Sequence, residues 1–168
     1  MTTVRFDAVV HPVSRIIAQY LIGQGLGVDP ATIDDAGFDT DWLLYTTNLP
    51  QHSNNCIAIN DTTPEKGIRN QVALYTCLRY GLQIRTRNNC DNEAWKRAHE
   101  IKIALDRVAN QQITFVDYAD NDSEHLYKFH GIETVSGPIP LGQELETGQG
   151  KRYLMSHNVL VSITPDVS

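Results

Sequence analysis

Histidines, cysteines and a short run of arginines are the residues here whose types could do chemistry. The histidines are His11, His52, His99, His125, His130 and His157. No two stand three or four apart on a predicted helix, and no His-Glu-x-x-His occurs. The spacing that puts two imidazoles on one helical face for zinc is therefore missing. His125 and His130 lie near the acidic stretch Asp120 to Glu124 and offer at most a weak metal site. Scattered surface or sheet histidines are the expected reading. Cys56, Cys77 and Cys90 are odd in number with no close pair, the pattern of free thiols in a reducing compartment. Cys56 opens the apolar run Cys56-Ile57-Ala58-Ile59, where a thiol is expected to be buried and inert. Gly-x-Ser-x-Gly is absent. The acidic residues fall mostly in predicted loops and on a polar helix face. The sequence thus assigns no catalytic residue, no cofactor site and no metal ligand.

Two further motifs offer binding rather than catalysis. Arg79, Arg85 and Arg87, with Tyr75 and Tyr80, form a basic and aromatic cluster. It suits the polar face of a strand, a subunit interface, or contact with phosphate and bases. Ser136-Gly137-Pro138-Ile139-Pro140-Leu141-Gly142 places two apolar side chains on a proline-stiffened segment. Full burial of Ile139 and Leu141 is worth about 3–6 kcal/mol, so the segment should fold onto its own core or dock on a partner. Gly23-Gln24-Gly25-Leu26-Gly27 closes a helix instead of opening one, so it reads as a C-cap and not as a phosphate loop.

The elements that must position these residues follow from periodicity. The chain has 168 residues, 41% of them apolar and 20% charged, which suits one domain, 1–168, with one core. Its net charge of −6 disfavours a grip on nucleic acid. No apolar run is long enough to span a membrane, and Met1 to Arg15 does not read as a signal peptide. The two Asn-x-Ser/Thr matches, at Asn60 and Asn121, are taken as chance. Val9, Val13, Ile16, Ile17, Tyr20 and Leu21 share a helical face starting near Pro12. Ala94, Ala98, Ile101, Leu105 and Val108 form a second apolar stripe, flanked by Trp95 and capped by Asn88 or Asp91. Strands are expected at 42–47, 56–60, 81–87, 113–118 and 127–135, with a bulge at Gly131, and along 153–163. A hairpin partner at 69–75 is expected for 81–87, and a long Gly- and Pro-rich loop at 136–151. Ser156, Asn158 and Ser162 are expected on an exposed sheet face. The sum is an α+β fold: a mostly antiparallel sheet with two principal helices packed on one face and a long hairpin loop.

In this order the segments resemble the tail terminator family of long-tailed bacteriophages, also described as minor capsid proteins. The resemblance is carried by a first helix ending in Gln24-Gly25-Leu26-Gly27, and by the strand Ile57-Ala58-Ile59-Asn60-Asp61-Thr62. Gly81-Leu82-Gln83-Ile84-Arg85-Thr86-Arg87, the helix 91–109 and Gly137-Pro138-Ile139-Pro140-Leu141-Gly142 follow, ahead of a long last strand containing Asn158. Glu144 stands where an aspartate is expected, and 65–80 and 119–125 depart from the pattern. The resemblance implies a virion protein, assembled in the host cytoplasm, with no enzymatic activity and no cofactor. Its implied partners are further copies of itself in a homohexameric ring, the tail tube protein, a head-side connector or stopper, and DNA passing through the lumen. Arg79, Arg85, Arg87, Pro138, Ile139, Pro140 and Leu141 are the expected contact residues. The rival readings are another neck protein, a small enzyme or ligand-binding domain using His125, His130 or Cys90, and a nucleic-acid module using the arginines.

Overall fold

A computed structural model describes residues 9–33, 40–51, 53–62, 79–146 and 150–166. The proposed hairpin partner at 69–75, together with Tyr75 and Cys77, lies outside them.

Helix α1 spans Val13–Gly23. Pro12 precedes it, where its fixed φ and missing N–H do no harm. No side chain of its own caps it. Instead Asp61, from a neighbouring strand, accepts the Ser14 N–H at 3.0 Å and the Ser14 hydroxyl at 2.5 Å. A carboxylate there also meets the positive end of the helix dipole. The helix closes with Gly25 at φ +74° and a Leu26 N–H bond to the Leu21 carbonyl, as the glycine run suggested. Helix α2 spans Asp91–Asp106. Its capping position is Cys90, which makes no side-chain cap. Asn88 accepts the Cys90 N–H at 2.7 Å and so turns the chain into the helix, in place of the cap expected from Asn88 or Asp91.

The strands are β1 Leu43–Tyr45, β2 Cys56–Asp61, β3 Arg79–Asn88, β4 Gln111–Asp117, β5 Ser123–Glu146 and β6 Gly150–Pro165. They form one sheet in the order β1-β2-β3-β6-β5-β4, antiparallel except for β1 and β2. Both helices cover one face. Ile16, Ile17 and Leu21 of α1 and Ile101 and Leu105 of α2 meet Ile57, Ile59, Ile84, Phe129, Val159 and Val161 in one buried cluster. Trp95 is half exposed, outside that core, and stacks on His99.

Two expectations fail. The segment 136–151 is not a loop: β5 and β6 run as one long hairpin with pairing down to Glu146 and Gly150. Prolines are tolerated in strands only at edges and bulges. Among the described residues β4 covers β5 only through Phe129, so Pro138 and Pro140 lie on an edge. The register also shifts between Ser136 and Ile139 and again between Pro140 and Gly142, and Gly131 sits at the bulge expected there. At Gly137, φ is +91° and a Cβ would collide with the Ser156 carbonyl oxygen, so the bulge requires glycine. The face away from the helices is also less exposed than the small polar residues implied. Ser156, Leu160 and Arg152 are buried there.

Candidate functional site

The three arginines fall at alternate positions of β3, on the face away from the helices, but their surroundings differ. Arg79 pairs with Glu133 at 3.2 Å near the surface. Arg87 is 3% exposed. Its guanidinium donates to the Pro50 carbonyl, to the Ser53 carbonyl at 2.7 Å and to Glu144 at 3.2 Å. This side chain anchors the 50–53 segment within its own chain. Arg85 lies between them, half-buried, beside Ser156 and Ala58 in register.

Ile139 and Leu141 are 46% and 48% exposed and Val135 is 58% exposed, so they do not fold back on the core. Among the described residues no strand pairs with the outer edge of β5 beyond Phe129. Among the described residues that stretch is an edge carrying apolar side chains, the combination that recruits another chain.

A second cluster was not legible in the sequence. The β4–β5 register sets Phe115 opposite His125 and Asp117 opposite Ser123, so all four side chains share the helix-side face. Asp117 and His125 are diagonal neighbours across the ladder. The turn between the strands passes through Asn121 and Asp122 at φ +50° and +57°, a conformation these residue types tolerate. The chain entering α1 brings His11 onto this face. His11 Nε2 is 3.2 Å from Asp117 Oδ2, and Nδ1 is 2.5 Å from the Tyr127 hydroxyl. The His11 and His125 ring centres are 4.4 Å apart. One ligand atom from each of His11, Asp117 and His125 lies within 4.8 Å of the others. Asp117 Oδ1 accepts the Ala119 N–H at 3.0 Å, which fixes the carboxylate with Oδ2 toward His11. Burial pushes the Tyr127 phenol above its usual range, keeping it neutral.

The remaining chemical candidates are placed as follows. His130 does not join the cluster of His125: it bonds Thr164 at 2.8 Å, and burial with Lys128 nearby lowers its pKa. Burial raises the Cys56 thiol despite the nearby Arg87 guanidinium, so it stays protonated, donating to the Ser53 carbonyl at 3.1 Å. Cys90 is exposed. A groove of about 350 Å³ runs between α1 and the end of β4, lined in part by Arg15, Gln19, Phe115 and Asp117. No helix among the described residues is long and apolar enough to cross a membrane. Comparison with protein-family models and with curated proteins finds no match to this chain.

Proposed function

We infer that this chain is a structural virion protein, a tail terminator. Its copies close into a six-membered ring that caps the tail tube, stops its growth and receives the head-side connector. The family resemblance of the ordered motifs suggests the role. The observation that supports the reading at the level of structure is the outer edge of β5, unpaired beyond Phe129 among the described residues, with Val135, Ile139 and Leu141 exposed along it. A ring needs a surface that meets a different surface on the next copy, with a rotation that closes. An edge strand that continues past the end of β4 supplies one half of such a contact. Burying the exposed halves of Ile139 and Leu141 contributes about 2 kcal/mol per contact, and the ladder hydrogen bonds set its register. Pro138 and Pro140 keep the edge from accepting strands without limit. The net charge of −6 suits a lumen through which DNA moves without adhering. The reading assigns the chain no catalysis.

The test is native mass by mass photometry over a concentration series, with and without tail-tube protein, and negative-stain imaging of large species. Closed six-fold rings with an open lumen are expected, and Ile139→Asp with Leu141→Asp should abolish them while the chain stays folded. A chain that stays monomeric even with tube protein, or rings that survive the double substitution, would overturn the assignment or the role of this edge respectively.

A further inference from the structure

We propose that His11, Asp117 and His125 bind one divalent first-row transition metal of the zinc class, tying the segment before α1 to the β4–β5 hairpin. The inference is independent of the ring reading. Two imidazoles and a carboxylate are a donor set that favours such ions over magnesium or calcium, which prefer all-oxygen cages. The spacing fits. Zinc bonds of 2.0–2.1 Å in a tetrahedron separate neighbouring ligand atoms by about 3.3 Å. His11 Nε2 and Asp117 Oδ2 already stand 3.2 Å apart. With all three atoms inside 4.8 Å, a modest tilt of one ring completes the set.

The surroundings are those of a metal ligand shell. Ligating histidines hold their second nitrogen on a hydrogen-bond partner, which fixes ring and tautomer. His11 has the Tyr127 hydroxyl at Nδ1. His125 has Ser123 Oγ 3.0 Å from Nε2, and that hydroxyl donates in turn to Asp120 at 3.1 Å. With Nε2–H donated to Ser123, the lone pair of His125 is on Nδ1. Asp117 is held by the Ala119 N–H. Phe115 packs on the His11 ring, its centre 4.8 Å away, and shields one side from water. A metal bonds the imidazole lone pair and the carboxylate, so binding competes with protons and weakens in acid. A water completes the tetrahedron. The ligands come from three segments, so the metal acts as a cross-link.

The full chain, stripped with EDTA, is titrated with zinc chloride by calorimetry, and its histidine rings are followed in long-range ¹H–¹⁵N spectra. One zinc per chain at micromolar affinity or tighter is expected, with ring shifts at His11 and His125 and none at His99 or His130. Asp117→Asn, nearly isosteric and partly exposed, should weaken binding at least ten-fold. Tyr127→Phe should weaken it about ten-fold through the lost partner of His11. His130→Ala should bind as the unaltered chain does. Absence of stoichiometric binding, ring shifts at other histidines, or unchanged affinity in Asp117→Asn would each overturn the site.

Discussion

Acid is expected to weaken the fold through His157 in particular. This imidazole is 1% exposed on the helix side of β6. Thr134 Oγ1 lies 3.3 Å from Nε2, and among the described residues Nδ1 has no hydrogen-bond partner. Burial drives its pKa from 6.5 to about 4; Lys102 and His99 of α2 push the same way and Asp106 opposes them. The unfolded chain therefore takes up a proton near 6.5 that the folded chain refuses until about 4. Stability from this residue is complete above the unfolded value and is lost as the pH falls toward the folded one. The loss from linkage is about 2 kcal/mol at pH 5 and about 3 kcal/mol at pH 4. The assay is urea unfolding of the unaltered chain and of His157→Leu across that range. Leucine has a similar volume and no proton to refuse. Carboxylates titrate in both proteins, so the difference between the two stability curves is the quantity to read. It should move in favour of His157→Leu by those amounts as the pH falls. Parallel curves would refute the reasoning.

Two further outcomes follow from single contacts. Arg87→Met removes the guanidinium donor shared by the Pro50 and Ser53 carbonyls and Glu144 and should cost about 2–4 kcal/mol in urea unfolding at neutral pH. Glu144→Gln, at an exposed partner, should cost under about 1 kcal/mol, and equal losses would contradict the anchoring role given to Arg87. Asp61→Ala removes the cap that β2 supplies to α1 and should cost about 1–2 kcal/mol, with Asp61→Asn in between because it keeps one acceptor oxygen but loses the charge and the second.

Much of the fold was legible because the signals that specify it are local. The apolar stripes of α1 and α2, the glycines after Gly23, the bulge at Gly131 and the alternation along β6 each lie within one segment. Their periods of 3.6 and 2 report which side is buried. The segment 136–151 misled because proline and glycine carry the same local meaning in a loop and on an edge strand with bulges. Only the β4–β5 pairing, which among the described residues stops at Phe129, shows that β5 is an edge there. Arg87 misled in a related way. Its place on the polar side of a strand was readable, but the 50–53 segment closing over it was not.

The sequence by itself determined the two helices, the strands outside 136–151, the two-helix, one-sheet arrangement and the apolar hairpin side chains, since each rests on residues close in the chain. Tertiary structure alone decided the His11–Asp117–His125 cluster. His11 and Asp117 are 106 positions apart. Asp117 and His125 become neighbours only through one hairpin register, and a shift by one residue would send His125 to the opposite face. Sequence patterns record which face a residue takes, whereas a site of convergent donors depends on how faces from distant segments are brought together.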